Sequence, residues 1–551
     1  MHYNLSTENY NLSLEDEVLL KANGPLLSPV FNQLSPVVEN ITKTQTGLSW
    51  KQEGLSSIEL NLIHHPENNA IDIQCHFTTD RDLVLSELNI LPISTELNFY
   101  KCVNYRNRHA TEQTWPELLL KGMETTTYSN DWQFAPHPSM MLFTKNNLSL
   151  FVGALDLSAS YGIKANIQDY KVKGFCLDFG GEQWGKTLKK GETFHSPTFR
   201  FFLRDNKNPY EVFTEFGNML IQENYISNPS DKKRESWWHA PLYCTWIDQV
   251  FESEVHLTTE LNEQTAETAH PTRAVFNETL VRKAVEIIKR EKLPFKTILL
   301  DEGWHIGRGH WEPHTERFPN MRQLVDDLHA DGFKVVIWWN WCEIEKSVEK
   351  YMNPEHLVLN GKVNKHGCLM RDYSKKSTQE EYLKPLFHQL FSSDEGCYDF
   401  DGIKTDFQAD KIHPEMPWED NTWHGEEMTF LKIYQLFYTE MKKHKRDAVH
   451  IGGAGHYYLS EYIDINRTYD VFNSDYRQHE ERAKMLFSTN PGCPVAYDFH
   501  NFTENLKEYL ESAKEIGASV QIGNIIKTKK DYFSESELAS SEYYQLLREH
   551  L

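Results

Sequence analysis

The chain of 551 residues contains no run of 18 or more apolar residues, so it offers no candidate for a membrane-spanning helix. It contains no C-x-x-C pair. Its eight Cys stand apart at 75, 102, 176, 244, 342, 368, 397 and 493, a spread that supports neither a zinc cluster nor, in so long a chain, a disulfide framework. Reduced thiols in a cytoplasmic protein are the expectation. Basic blocks are missing as well. The formal net charge of −23 is distributed along the chain, whereas nucleic-acid binding draws on clustered Lys and Arg. The opening residues Met1-His-Tyr-Asn-Leu-Ser show neither the basic stretch nor the apolar stretch of a secretory signal. Low-complexity tracts and repeats of solenoid length are not found. These absences argue against nucleic-acid and membrane partners.

Aromatic residues are plentiful, at 13% with 14 Trp. Most fill cores. Sugar-binding sites also use aromatic faces, so the position of each Trp matters more than the count. The chain reads in two rhythms. Up to about residue 205, short alternating runs such as Ile58-Glu-Leu-Asn-Leu-Ile are separated by Asn, Asp, Gly and Pro, the pattern of a β-sandwich. A helical stretch from Pro209 and a polar segment from Asn228 follow. From about residue 240, short apolar runs alternate with amphipathic helices, as in βα units around a parallel sheet. Eight strands are expected: Leu242–Ile247, Lys296–Leu300, Lys334–Trp338, Gly402–Thr405, Ala448–Ile451, Val471–Asn473, Pro494–Tyr497 and Ala518–Ile522. The expected fold is α/β plus β. It comprises an N-terminal β-sandwich (1–205), a helical linker (206–238) and a catalytic (β/α)8 TIM barrel (239–551), with no evident C-terminal β-domain.

In such a barrel, functional groups sit at the C-terminal ends of the strands. Those ends read Cys244-Thr-Trp-Ile-Asp, Asp301-Glu-Gly-Trp, Trp338-Trp-Asn-Trp-Cys-Glu, Lys404-Thr-Asp-Phe, His450-Ile-Gly-Gly-Ala-Gly-His, Asn473-Ser-Asp-Tyr-Arg and Tyr497-Asp-Phe-His. One carboxylate at a rim is ordinary solvent contact. Carboxylates at most of the strand ends, several beside Trp, are the composition of a sugar site. Paired carboxyls perform glycoside hydrolysis: one attacks the anomeric carbon or activates water, and the other protonates the leaving oxygen. Composition alone does not choose the pair.

The order of these segments resembles glycoside hydrolase family 36 of clan D, whose best-known members are α-galactosidases. Lys296-Thr-Ile-Leu-Leu-Asp-Glu-Gly-Trp, Gly309-His-Trp-Glu-Pro, Phe318-Pro-Asn and Gly332-Phe-Lys-Val-Val-Ile-Trp are similar to the family's Asp-Asp-Gly-Trp, Gly-Asp-Trp and Pro-Asn-Gly series. Arg371-Asp-Tyr-Ser-Lys, Gly402-Ile-Lys-Thr-Asp-Phe, the glycine run after His450, and Asn473-Ser-Asp followed by Glu481-Arg continue it. The resemblance covers about 240–525. It implies a retaining α-glycosidase that releases terminal α-linked galactose by double displacement, with Asp406 as nucleophile and Asp475 as acid/base. It also implies that Asp301, Glu302, Lys404, Arg371, His450, Gly453, Arg482, Trp246, Trp304 and Trp311 form the substrate pocket. In that scheme Trp304 and Trp311 are platforms, His450 meets the sugar 2-hydroxyl, and Arg482 reaches back toward Asp475. No cofactor and no metal are implied, and the partner is a small carbohydrate.

The chain departs from the family at Glu302, Thr405 and His450, all in the implied pocket. Lys-Thr-Asp-Phe also resembles family 31, which includes α-glucosidases and α-xylosidases. Those activities and α-N-acetylgalactosaminidase are the alternatives of the same fold. Two rivals of another class remain. His305, His310 and His314 lie near Asp301 and Glu312 without a zinc spacing, so a metal-dependent enzyme is one. A non-catalytic sugar-binding protein is the other.

Overall fold

The computed structural model describes residues 47–90, 208–253, 272–358, 367–406, 418–471, 475–498, 505–528 and 537–551, residue 363, and, of the N-terminal region, 11–14, 17–21, 27–32, 34, 39–45, 101–103, 117–119, 125–127, 140–145, 148–157, 159–161, 163–168, 171–180 and 185–205. The N-terminal region forms two large antiparallel sheets, of ten and six strands, and a two-stranded one at Asn11–Leu14 and Glu17–Lys21. Their alternating runs put one face inward, and the sheets meet where Phe31 packs edge-on against Phe77 with ring centroids 5.5 Å apart. A helix at Pro209–Gln222 leads out of this region, with Asn208 accepting a hydrogen bond from the Tyr210 N–H as its N-cap. Its buried face carries Phe213 and Phe216, and Phe216 packs on Tyr457 of the second half.

That second half is a closed barrel of eight parallel strands. They are β1 (Leu242–Cys244), β2 (Thr297–Leu300), β3 (Lys334–Asn340), β4 (Gly402–Asp406), β5 (Val449–Gly452), β6 (Ile465–Arg467), β7 (Val495–Tyr497) and β8 (Ser519–Ile522). Leu242, Cys244, Leu299, Val336, Val449, Ile451, Ile465 and Ala496 fill the interior. These are every-second residues of their strands, as period-2 alternation requires. The outer helices include α1 (Glu278–Glu291), α2 (Met321–Ala330), α3 (Lys384–Phe391), α4 (Glu426–His444), α5 (Tyr476–Thr489), α6 (Leu506–Ile516) and α7 (Ser541–His550). Asn277, Asn320 and Ser540 cap α1, α2 and α7 by accepting from backbone N–H groups two positions inside each helix. Asp248 joins the first and last strands: it accepts from the N–H groups of Ile525, Ile526 and Lys527 and from the Tyr243 hydroxyl.

Seven of the eight expected strands coincide with these. The sixth does not. Its expected position, Val471–Asn473, looked apolar, but residues 472–473 lie outside the described residues and the barrel strand is Ile465–Arg467. Asn466 and Arg467 are buried polar groups, so a search for apolar runs passes over them. Among the described residues no helix is long and apolar enough to cross a membrane.

Candidate active site

Alternation along β4 turns Lys404 and Asp406 to the barrel axis. Lys404 Nζ lies 3.0 Å from Asp301 Oδ2 at the end of β2, and the Cys244 thiol lies 3.1 Å from the same oxygen. Burial opposes charge on Lys404, but the Asp301 carboxylate overrides it and raises the ammonium well above its ordinary value. This ion pair is almost fully buried and forms the floor of the barrel mouth.

Asp406 stands above that floor with 18% of its side chain exposed. The Trp338 indole N–H donates to Oδ2 at 2.9 Å, and the Arg467 guanidinium binds Oδ1. Arg467 also binds Asp498 at the end of β7, whose other oxygen accepts from Gln521 Nε2 at 2.7 Å. One arginine thus spans β4, β6 and β7. The bonds hold the Asp406 carboxylate in one orientation.

Beyond β6 the chain turns sharply. Tyr469 is buried at φ = 59°, a left-handed conformation that bulky residues rarely adopt. Its ring lies under Arg467, 4.1 Å from the guanidinium carbon, and against Gly453, where a Cβ would come within 2.1 Å of a ring atom. Arg482 of α5 donates to the carbonyls of Thr468, Tyr469 and Asp470 at 3.0, 3.3 and 2.9 Å. The next residue in this turn, half-buried Asp470, lies within electrostatic reach of Asp406, Asp498, Lys404 and Arg467.

Asp301, Lys404 and Asp406 therefore come together as expected from their strand ends. Trp246 is half-buried at the end of β1 and packs on the apolar barrel lining. The other expected pocket residues stand elsewhere. Glu302 is buried on the opposite side of its strand, between Arg308 at 2.7 Å and Arg273, and has no oxygen turned to the axis with Asp301. Trp304 and Trp311 are not platforms. They stack on each other at 6.2 Å, Trp311 stacks on Trp339 at 4.2 Å, and both are buried. His450 points outward from β5: Nε2 meets the Thr405 hydroxyl at 3.0 Å and Nδ1 the Tyr462 carbonyl at 2.6 Å. It cannot meet a sugar in the barrel mouth.

Gly453 admits the Tyr469 ring, not a ligand. Arg371 is buried, lying over the Tyr382 ring at 3.5 Å and donating to the Gly309 carbonyl at 3.1 Å. Arg482 holds backbone carbonyls of the β6 turn where contact with Asp475 was expected. Asp475 caps α5, with 32% of its side chain exposed and Arg477 Nε at 2.7 Å. Its described bonds do not lead to Asp406. As for the metal rival, His305 is enclosed by the rings of Trp304, Trp311 and Trp338. Among the described residues no three metal-type ligands converge.

Sequence reasoning missed Arg467, Asp470 and, as a site residue, Asp498. The displaced sixth strand concealed the first two. The alternation Ile465-Asn-Arg carries the signal, with Ile465 facing in and the arginine next in phase.

Residues 264–456 match the family model for the glycosyl hydrolases family 31 TIM-barrel domain. The barrel is a glycoside hydrolase domain. The fold is similar to the alpha-galactosidase from Lactobacillus brevis, at TM-score 0.55 and 14% identity, over 95% of this chain and 69% of that one. It is similar to the GH36 alpha-galactosidase AgaA from Geobacillus stearothermophilus, at TM-score 0.56 and 11% identity, over 95% and 72%. TtGalA, the alpha-galactosidase from Thermus thermophilus, aligns at TM-score 0.52 and 12% identity, over 88% and 91%. At these identities the likeness is one of fold. No curated protein sequence matches the chain. Both families that the motifs resemble are thus represented, family 31 by the barrel sequence and family 36 by the fold.

Proposed function

We propose that this glycosidase is a retaining enzyme that releases terminal α-linked galactose. The observation that carries the reading is the setting of Asp406: a partly open carboxylate at the end of β4, held by Trp338 and Arg467 above the Asp301–Lys404 pair. Asp406 Oδ attacks the anomeric carbon as the bond to the leaving oxygen breaks, giving a covalent glycosyl-enzyme. A second carboxyl protonates the leaving oxygen. Water then attacks the same carbon, Asp406 departs, and the second carboxyl takes the water's proton. Motif order offers Asp475 of the segment after β6 for this second role. The Asp301 carboxylate and Lys404 ammonium bind ring hydroxyls at the closed end of the pocket.

The galactoside preference is supported by the neighbours. Structures of the Geobacillus stearothermophilus enzyme hold stachyose or raffinose, and that from Thermus thermophilus holds p-nitrophenyl alpha-D-galactopyranoside. The family 31 match favours a second reading, an α-glucosidase or α-xylosidase using the same Asp406. A panel of 4-nitrophenyl α-glycosides separates the two, with release from the galactoside expected to lead. Asp406→Ala tests the mechanism: turnover should vanish, and azide should restore it with a β-glycosyl azide as product. Full activity in that variant would sink the assignment.

A further inference from the structure

We propose that Asp498 is a positioning residue that acts through Arg467 on Asp406, and so sets how fast the glycosyl-enzyme forms relative to its release. The inference rests on the nucleophile role given to Asp406 above and deepens it. One chain of bonds links β4, β6, the residue after β7, and β8. Arg467 donates through Nη2 to Asp406 Oδ1 and through Nη1 to Asp498 Oδ2. The other oxygen of Asp498 accepts from Gln521 Nε2 at 2.7 Å. The Asp498 backbone is fixed as well: its N–H donates to the Thr468 hydroxyl at 3.0 Å, and its carbonyl accepts from the Tyr509 hydroxyl at 3.1 Å. Asp498 is fully buried, so its influence on a substrate passes through the guanidinium.

The first effect is on aim. Asp498 takes one edge of the guanidinium, Asp406 takes another, and the Tyr469 ring lies against its face, 4.1 Å from the central carbon. A guanidinium is a planar fork, so fixing one edge sets the direction of the other. An arginine buried for folding alone needs one carboxylate. Here a second carboxylate leaves the trio with one negative charge in surplus, and an unbalanced buried charge costs stability. Of the three groups Asp406 is the most exposed, at 18% against 2% for Arg467 and 0% for Asp498. The surplus charge therefore settles on the group that faces the barrel mouth.

The second effect is on basicity. An opposite charge beside a carboxylate favours its ionised form, which makes it a weaker nucleophile and a better leaving group. Bonded to Asp406 alone, Arg467 would press its full charge on the nucleophile. Asp498 shares the guanidinium and moderates that pull, and Gln521, by donating to Asp498, limits the share that Asp498 takes. Asp406 is partly bonded to C1 in the transition states of both formation and release, so a loss of aim slows both steps. A change in basicity moves the two steps in opposite directions. When the Asp498 charge is removed, the two effects add against formation and oppose each other in release.

A 5-fluoro-α-galactosyl fluoride probe, with its glucosyl counterpart alongside, reads the two steps separately in the full chain. In inactivation the C1–F bond breaks, fluoride leaves as the anion, and the Asp406–C1 bond forms. In reactivation water bonds to C1, its proton passes to the second carboxyl, and Asp406 departs. Asp498→Asn keeps the volume and one acceptor but removes the charge. Inactivation should slow about 10–100-fold, the range for losing a hydrogen bond to a charged group, while reactivation changes far less. Gln521→Met removes the donor to Asp498 and should tip the balance the other way, slowing reactivation more than inactivation. Equal slowing of both steps in Asp498→Asn, the signature of a merely structural role, overturns the proposal. If that variant does not fold, Gln521→Met decides, and an unchanged ratio of the two rates overturns it. Peptide mass analysis of the inactivated wild type guards the reading beneath. Absence of a glycosyl adduct on Asp406 with either sugar sinks that reading, whereas an adduct on Asp406 with equal slowing in the variants sinks only the role of Asp498.

Discussion

Glu302→Gln separates two accounts of one residue. If Glu302 binds a sugar hydroxyl, as the motif resemblance implies, the variant weakens substrate binding and leaves the fold intact. If it is the buried centre of an ion cluster, the variant weakens the fold. The structure favours the second account: Glu302 is 1% exposed, with Arg308 Nε at 2.7 Å and Arg273 on the same oxygen. Gln keeps the volume and one acceptor but removes the charge. Deleting one partner of a buried ion pair costs about 3–5 kcal/mol. Arg273 retains Glu345 at 2.7 Å and Arg308 retains Glu343 at 3.4 Å, so the lower end, about 3 kcal/mol, is expected.

The same residue fixes the sign of a pH effect. Burial pushes its carboxyl up, but Arg308 and Arg273 override this and hold it well below the usual carboxylate range. A depressed carboxyl contributes stability above its unfolded value, near pH 4.3, and that contribution fades as pH falls further. Wild type should therefore lose more stability than Glu302→Gln on going from pH 7 to pH 3. Urea unfolding followed by Trp emission reads both quantities, because Trp304, Trp311 and Trp338 pack around the neighbouring His305. A variant with an unchanged unfolding midpoint and a KM raised tenfold would refute the structural account.

Three further outcomes follow from other placements. Burial pushes the His450 imidazole down to about 4. Its stabilising contribution is complete above about pH 6.5 and is lost as pH falls toward 4, about 3 kcal/mol in all; His450→Gln should flatten that part of the stability curve, and an unaltered curve would count against the burial argument. Gly453→Ala places a Cβ 2.1 Å from the Tyr469 ring, so the β6 turn must shift and kcat on a 4-nitrophenyl glycoside should drop; wild-type kinetics would show that the turn is not tuned. Trp338→Phe removes the N–H that donates to Asp406 at 2.9 Å. A hydrogen bond to a charged group is worth about 1.5–3 kcal/mol, so kcat/KM should fall about 10–100-fold, and a change under twofold would contradict the role given to that bond.

The sequence by itself determined the barrel, because apolar strands and amphipathic helices alternate from Leu242 to Ile522 at seven of the eight strand positions. Alternation also placed Lys404 on the same side of its strand as Asp406, while Asp406 and Asp301 themselves were singled out by motif resemblance. Glu302 and His450 stand on the far side of their strand ends for the same reason. Glu302 adjoins Asp301 and His450 adjoins Ile451, so each points the other way from an inward neighbour. What only the tertiary structure decided was the company each group keeps. Trp304 and Trp311 read as possible platforms, but the ring of Phe400 packs on Trp304 and those of Trp338 and Trp339 on Trp311. Arg467 carried no apolar pattern, because the end of β6 is built from buried polar residues whose partner, Asp498, arrives from another part of the chain. A buried charge is tolerated only where the fold brings it a counter-charge, and that pairing is not written in local periodicity.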